Sequence, residues 1–283
     1  MDCPSLDEYL KRFTLPISVM QSSESLERVA FELLEDAAME NTKYIEVRFA
    51  PILHTNKGLN IKEVIKSVLK GIRNAESKYD IKGNLILSCL RHMPVETAYE
   101  MIEEGKNFIG DGVVAVDIAG SEKEGFVENY VDCMRLARNY GFRVTIHAGE
   151  TGIGKNVFDA VTLLGAERIG HGVYIKDYEK AYKVVKEKGV ALEICPTSNV
   201  QTKAVSSYRN HPIYDFHMDG IKVTINTDNR TVSGVDLTKE YNILRDELKL
   251  KLEDYRDIYI NSVYASFADE TTKNKLLNQI NFK

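Results

Sequence analysis

The stretch 141–150, GFRVTIHAGE, decides how this chain is organised. Residues 142–146 form an apolar, β-branched run of the kind that lies inside a sheet. His147 and Glu150 follow at once, separated by two small residues that let other groups approach the backbone. Side chains that bind metal or transfer protons, placed at the carboxyl end of a buried strand, predict a catalytic site at that end. The alternative is a buried histidine bonded to the backbone, followed by a glutamate that caps a helix.

The composition is typical of a globular chain of 283 residues, with 43% hydrophobic and 28% charged residues. The net charge is −5 and the basic residues are spread evenly, so we predict no nucleic-acid partner. No apolar run reaches the ~18 residues of a membrane span, and the first residues lack a signal-peptide pattern. We therefore predict no membrane association.

The four cysteines, Cys3, Cys89, Cys133 and Cys195, lie far apart in the sequence and form no Cys-x-x-Cys pair. This spacing argues against a thiolate metal site and against a disulfide framework. Reduced cysteines are typical of cytosolic proteins, so the sequence predicts a cytoplasmic location.

The whole chain alternates predicted strands and helices with short connections. Seven strands are predicted, at 43–49, 84–90, 113–118, 142–146, 168–170, 190–194 and 221–226. They are near-continuous apolar runs, as expected of parallel strands buried on both faces. A helix is predicted over 122–140, and Cys195-Pro196 could form a plain turn.

Two α/β architectures compete for this pattern. A doubly wound sheet usually carries a glycine-rich phosphate turn near its first strand, and the sequence has none. Polar residues at the ends of many strands favour a (β/α)8 TIM-type barrel, here a single domain over 1–283. Because such a barrel needs eight strands, we expect the first strand to be missing from this chain.

Four side chains make up the candidate site: His147, Glu150, His171 and Asp228, each at or just after a strand end. In a barrel these ends converge. A histidine and an aspartate can bind zinc, and a separate glutamate and histidine can act as general acid and base. Each residue also has a structural interpretation; Asp228, for example, could cap the next helix.

The remaining histidines fit the site less well. His92 is predicted to make a structural hydrogen bond, His54 and His211 to be loop residues, and His217 to lie on the surface of a short helix.

Several motifs in register resemble the adenosine deaminase family. They are YIEVRFAP at 44–51, CLRHMP at 89–94, VDIAG at 116–120, HAGE at 147–150, RIGHG at 168–172, EICPTSN at 193–199 and NTDN at 226–229. The resemblance covers the chain from about residue 5 to the end. It implies a zinc-containing (β/α) barrel that hydrolyses adenosine, and 2'-deoxyadenosine, to inosine and ammonia.

The resemblance implies a role for each matching residue. His147 and Asp228 would be zinc ligands, Glu150 would protonate a purine ring nitrogen, and His171 would orient or deprotonate the zinc-bound water. The backbone of Gly120 would meet the purine ring. Zinc lowers the pKa of bound water to roughly 7, so hydroxide becomes available at neutral pH.

The sequence departs from the family pattern in two places. Asn229 stands where many members have a second aspartate, and its amide can donate the corresponding bond to a purine nitrogen. No His-x-His pair occurs in the sequence, although the family's first strand supplies two zinc ligands in that form. We therefore expect one Zn²⁺ per chain with two of its usual ligands absent, and an amino-terminally incomplete chain of doubtful activity.

Other functions stay open at this point. The substrate could be another 6-aminopurine, either adenine or an N6-methylated AMP, or the chain could be a non-catalytic purine-binding remnant that has lost zinc. The cysteine-ligated nucleobase deaminases need His-x-Glu and Pro-Cys-x-x-Cys, which the sequence lacks. The expected partner is a small purine nucleoside, and the sequence does not indicate an oligomeric state.

Overall fold

The computed structural model describes residues 5–280. Within that range the chain forms seven strands. They are β1 Tyr44–Phe49, β2 Lys82–Leu90, β3 Val113–Ala119, β4 Arg143–Ala148, β5 Arg168–His171, β6 Ala191–Ile194 and β7 Val223–Ile225.

Fourteen α-helices lie between and around these strands in the described range. They are α1 Leu6–Leu10, α2 Thr14–Val19, α3 Ser23–Met39, α4 Ile61–Lys78, α5 Val95–Gly105, α6 Val131–Tyr140, α7 Gly154–Asp159, α8 Glu179–Lys188, α9 Pro196–Gln201, α10 Ile213–Met218, α11 Arg230–Ser233, α12 Leu237–Leu248, α13 Leu252–Ala265 and α14 Glu270–Asn278. Short 3₁₀ or π segments extend several of them.

The described chain divides into two compact units. Unit A comprises residues 12–120 and 132–144, and unit B comprises 5–11, 121–131 and 145–280. In unit A, β1 pairs with β2, β2 with β3, and β3 with the first two residues of β4, all in parallel. In unit B, the rest of β4 pairs with β5, β5 with β6, and β6 with β7, again in parallel.

Parallel strands paired in chain order, with helical crossovers between them, confirm the predicted α/β class and (β/α) barrel topology. Residues 5–280 supply seven strands of that topology. The prediction of a single domain over 1–283 stays a prediction.

Unit A is built on the amphipathic helix α4. Its apolar residues recur every three or four positions, so one face is buried from Ile61 to Ala75. The helix begins with a capping box in which Asn60 and Glu63 bond each other's backbone N–H groups. The buried carboxylate of Asp117 on β3 accepts a hydrogen bond from Ser88 at 3.0 Å. A neighbouring strand thus supplies a hydrogen-bond donor to this buried carboxylate.

In unit B a buried ion pair ties β5 to β6. The Arg168 Nε lies 2.6 Å from Oε1 of Glu193, and Oε2 of the same carboxylate accepts a hydrogen bond from the Thr145 hydroxyl at 3.1 Å. The Arg168 guanidinium stacks on Phe267. These contacts surround the start of β5, whereas His171 lies at its carboxyl end. The buried ion pair and the candidate catalytic residue therefore lie at opposite ends of one strand.

The structure corrects two predicted elements. The helix predicted over 122–140 is a loop at 122–125, a 3₁₀ turn Phe126–Tyr130 and then α6, because Glu122 bonds elsewhere. The plain turn considered at Cys195-Pro196 is instead the start of α9, with Cys195 as the N-cap and Pro196 at the first position, where a missing N–H costs nothing.

Two expectations concern the cysteines and the membrane. Cys89, Cys133 and Cys195 are buried and reduced, and Cys3 lies outside the described residues. Among residues 5–280, no helix combines the length and apolar character needed to cross a bilayer.

Candidate active site

The turn after β4 depends on Gly149. Its φ is +67°, and a Cβ there would lie 2.7 Å from Val157. Only glycine adopts this conformation readily and leaves that space free. The turn brings His147, the next-to-last residue of β4, and the buried Glu150 to the carboxyl end of the strand. The small residues of the HAGE motif therefore do permit a close approach of other groups.

A buried carboxylate, Glu122, holds this turn. It accepts hydrogen bonds from the backbone N–H groups of Gly149, Glu150 and Thr151 at 2.8, 3.0 and 3.1 Å. The Thr151 hydroxyl and the Asn156 amide donate two more, at 3.1 and 2.9 Å. We call Glu122 and these donors the Glu122 cluster. Five donors around one carboxylate fix the backbone that presents Glu150.

His171 lies at the end of β5 in a strained conformation. Its φ is +66°, a left-handed value that costs a residue with a Cβ about 1–3 kcal/mol. In this position its Nε2 lies 3.6 Å from a carboxylate oxygen of Glu150, and its ring centroid lies 5.2 Å from that of His147. The structure thus brings together three of the predicted site residues at the ends of two adjacent strands.

The other side of the His171 ring is held by two buried residues. The Asn199 Nδ2 lies 2.9 Å from His171 Nδ1, and the Asn199 Oδ1 lies 3.2 Å from His211 Nε2. The backbone N–H of Ile213 donates to His211 Nδ1 at 3.1 Å. We call these four residues the His171 network. Burial, and the neighbouring His171, lower the pKa of His211 to about 3.

Asp228, after β7, also has a left-handed backbone with φ +52°. Its carboxylate accepts hydrogen bonds from the Ser198 hydroxyl at 2.7 Å and from the Asn229 amide at 2.8 Å. Ser198 and Asn199 are adjacent residues of α9. Consecutive residues of one short helix therefore hold Asp228 and His171, which links the ends of β5 and β7.

Two further buried groups support α9 and its surroundings. Glu240 of α12 accepts a hydrogen bond from the backbone N–H of Thr197, and burial raises the pKa of Glu240 to about 7. The hydroxyl of Tyr9 lies 2.6 Å from the Ser233 hydroxyl, and burial and the charge of Asp228 raise the pKa of Tyr9. Both groups lie close enough to Asp228 to sense its charge.

Gly120 belongs to unit A, where it follows β3 with φ +94°. Its carbonyl oxygen accepts a hydrogen bond from Arg91 at 2.6 Å. Its predicted contact with the purine ring stays a prediction.

The residues predicted as metal ligands meet only part of what a zinc site needs. His147 and Asp228 offer a nitrogen and oxygen donor, which are suitable types. Within the part of the chain that the structure describes, however, no three His, Cys, Asp or Glu side chains are grouped to hold a metal ion. Catalytic zinc sites use three protein ligands, so the described residues do not fit a complete zinc site.

Sequence reasoning missed several residues of the site. Glu122 was placed in a helix, and His211, although it is a loop residue, is buried and part of the His171 network. Outside the site, His54 was predicted as a loop residue and is buried in the 3₁₀ turn Pro51–His54. The prediction that His217 lies on the surface is wrong, because its side chain is only 11% exposed and bonds Asp254. Glu122 had one available signal, since it lies three residues after the carboxyl end of β3.

Comparisons with known proteins point to one family. The sequence matches the family model for adenosine deaminase over residues 1–283. An adenosine deaminase of Clostridium perfringens is 62% identical over 275 residues, which cover 97% of this chain and 83% of that protein.

Solved structures show the same fold. The adenine deaminase of Arthrobacter aurescens superposes with a TM-score of 0.91 at 23% identity and covers 97% of this chain and 84% of its own. An amidohydrolase from Burkholderia ambifaria with bound zinc has a TM-score of 0.85 at 26% identity, over 92% and 72% of the two chains. The motifs, the parallel strand order and the extent of these matches lead to one conclusion: the chain belongs to the adenosine deaminase family.

Proposed function

We propose that this protein catalyses the hydrolytic deamination of adenosine, and of 2'-deoxyadenosine, to inosine and ammonia. In this reaction the bond between the ring carbon and the exocyclic amine breaks, and a bond from that carbon to a water oxygen forms. The observation that carries the proposal is the buried Glu150–His171 pair beside His147, in a chain of this family. A small purine nucleoside is the partner that this chemistry requires.

Glu150 is proposed to deliver a proton to a purine ring nitrogen. Protonation makes the neighbouring carbon more electrophilic, so the ring accepts the attacking oxygen without building up negative charge. The Glu122 cluster supports this role, because it fixes the backbone of Glu150 and leaves its carboxyl group free to face His171. His171 is proposed to act on the attacking water.

Two residues are proposed to hold the purine. The Asn229 amide carries two N–H groups, and one of them is used on Asp228. The second can donate to a ring nitrogen that lacks a proton. Gly120 is proposed to offer its backbone to the ring, at a position where the left-handed conformation favours glycine.

We propose one Zn²⁺ as the cofactor, with His147 and Asp228 as the ligands that this chain contributes. The family and the zinc-containing relative support the metal. The described residues supply two ligands of the three that such sites use. Total metal analysis of the purified protein measures whether zinc is held.

The test of the proposed activity is the conversion of adenosine to inosine, followed by chromatography with zinc supplied in the buffer. We expect turnover by the natural sequence and a loss of about 10²–10⁴-fold in kcat for Glu150→Gln, because an amide cannot deliver the proton. The exposed Glu128→Gln is the matched control and should keep full activity. Unchanged adenosine alongside consumption of adenine or an N6-methylated AMP would assign the chain to one of those substrates instead.

A second candidate function is purine binding without turnover. The observation that favours it is the lack of a three-residue metal-binding group within residues 5–280. It predicts that adenosine binds in a calorimetric titration, that no inosine forms and that the protein holds no stoichiometric zinc. One equivalent of tightly bound zinc would contradict it.

The buried, reduced cysteines described above support a cytoplasmic location, which we include in the proposal.

A further inference from the structure

We propose that Asn199 and His211 are positioning residues that fix which ring nitrogen of His171 carries the proton. They make Nδ1 the hydrogen-bond acceptor, so the neutral ring presents its N–H from Nε2, toward Glu150. This inference deepens the proposed function, because it defines how His171 can act in the site.

One group of the network has a hydrogen-bonding role that cannot change. The backbone N–H of Ile213, at the start of α10, can only donate, and it lies 3.1 Å from His211 Nδ1. That nitrogen must therefore offer a lone pair. A neutral imidazole with a lone pair on Nδ1 carries its hydrogen on Nε2. His211 is 3% exposed, and burial favours this neutral form.

The next step fixes the orientation of the Asn199 amide. The Nε2–H of His211 needs an acceptor, and Asn199 offers its Oδ1 at 3.2 Å. The opposite orientation would place two donors, the amide N–H₂ and the ring N–H, against each other. With Oδ1 used in this way, the amide must direct its Nδ2 at His171, from which it is 2.9 Å away.

The last step assigns His171 itself. An amide N–H₂ can only donate, so His171 Nδ1 must accept. The neutral ring then carries its hydrogen on Nε2, which lies 3.6 Å from Glu150. All three side chains are almost completely excluded from solvent. Water therefore does not compete easily for these bonds, and the order of donors and acceptors runs unbroken from the backbone to the site.

This order decides between two roles for His171. A neutral ring that already holds a hydrogen on Nε2 cannot remove a proton through that atom. It can donate a hydrogen bond to an oxygen beside it. The network thus makes neutral His171 a group that orients an oxygen, and it leaves proton removal to another group.

Nuclear magnetic resonance of ¹⁵N-histidine-labelled protein tests the assignment directly. The two nitrogens of a neutral imidazole differ widely in ¹⁵N chemical shift according to which one carries hydrogen, and the His171 signals can be identified by their loss in His171→Asn. We expect the natural sequence to show hydrogen on Nε2 of His171. Hydrogen on Nδ1 would overturn the proposal without any variant and without any measurement of activity.

Variants of the network supply the second readout. Asn199→Leu should produce a mixture of the two His171 forms and lower kcat roughly 10- to 100-fold with little change in KM. His211→Leu should do the same to a lesser extent. His211→Gln should restore the natural pattern, since its amide can still donate to Asn199. His217→Gln, which removes a histidine bonded to Asp254 outside the network, is the control and should change neither measurement.

The two proposals fail separately. If the spectra follow this pattern but adenosine is never converted, the proposed function is wrong and the assignment of His171 stands. If adenosine is converted but Asn199→Leu leaves the His171 spectrum and kcat unchanged, the positioning role is wrong.

Discussion

The Glu122 cluster and the His171 network hold neighbouring groups of the same site by different physical means. Glu122 is a charged acceptor surrounded by five donors, three of which are backbone N–H groups. The His171 network joins the side chains of His171, Asn199 and His211 to the backbone N–H of Ile213, and in the proposed order each neutral side chain joins one donor to one acceptor. The first arrangement fixes the path of a backbone, whereas the second fixes the position of a proton.

This difference predicts how each region responds to substitution. Charge-assisted hydrogen bonds are the stronger kind, and their loss leaves several buried donors without a partner at once. A chain of neutral groups contributes less stability, but one reversed member changes the hydrogen positions of all that follow. We therefore expect the Glu122 cluster to respond mainly in folding and the His171 network mainly in kcat.

The largest expected effect is that of Glu122→Ala. The substitution leaves the turn's donors without their acceptor, so the free energy of unfolding should fall by about 3 kcal/mol or more, as measured by urea denaturation. Glu122→Gln keeps one oxygen and should be intermediate. The exposed Glu124→Ala, in the same loop, should change stability by less than about 0.5 kcal/mol. Equal effects of Glu122→Ala and Glu124→Ala would contradict the role of the cluster.

A smaller effect is expected when the protein is acidified. Burial lowers the pKa of His211 to about 3, against about 6.5 in an unfolded chain. Between about pH 3 and pH 6.5 the unfolded state binds more protons than the folded state. The stability contributed by neutral His211 is therefore complete above about pH 6.5 and is lost as the pH falls. The loss should be on the order of 2 kcal/mol between pH 6.5 and 5.

His211→Gln has no group that titrates in this range. Its unfolding free energy should therefore depend less steeply on pH than that of the natural sequence, when both are followed by urea denaturation at several pH values. Parallel pH profiles for the two proteins would show that His211 does not have to stay neutral in the folded state.

The smallest effect is expected for Ser198→Ala. This change removes the hydroxyl that donates to Asp228, but the Asn229 amide still donates to the other carboxylate oxygen. Thermal unfolding should show a loss of about 1 kcal/mol. A loss as large as that of Glu122→Ala would mean that Asp228 depends on the Ser198 hydroxyl alone. That result would contradict the contrast between the charged Glu122 cluster and the neutral His171 network.

The sequence was sufficient for the local features of the fold. Apolar runs identified all seven strands of the described range, because a parallel strand buried on both faces needs apolar residues at nearly every position. It also identified His147, Glu150, His171 and Asp228 as candidates, since each follows such a run. The start of a helix was harder to predict where a residue bonds a partner that is distant in the sequence. Glu122 is such a residue, because it bonds the turn after β4.

Only the tertiary structure decided what surrounds those candidates. Glu122 and Gly149 are 27 positions apart, and His211 acts on His171 through Asn199 across 40 positions of the chain. The periodicity of apolar residues does not indicate such hydrogen bonds, because they depend on which strand ends become neighbours. The sequence determined which groups stand at the ends of its buried strands. Their hydrogen-bond partners, and hence the proton positions, were decided by the pairing of strands that only the folded chain contains.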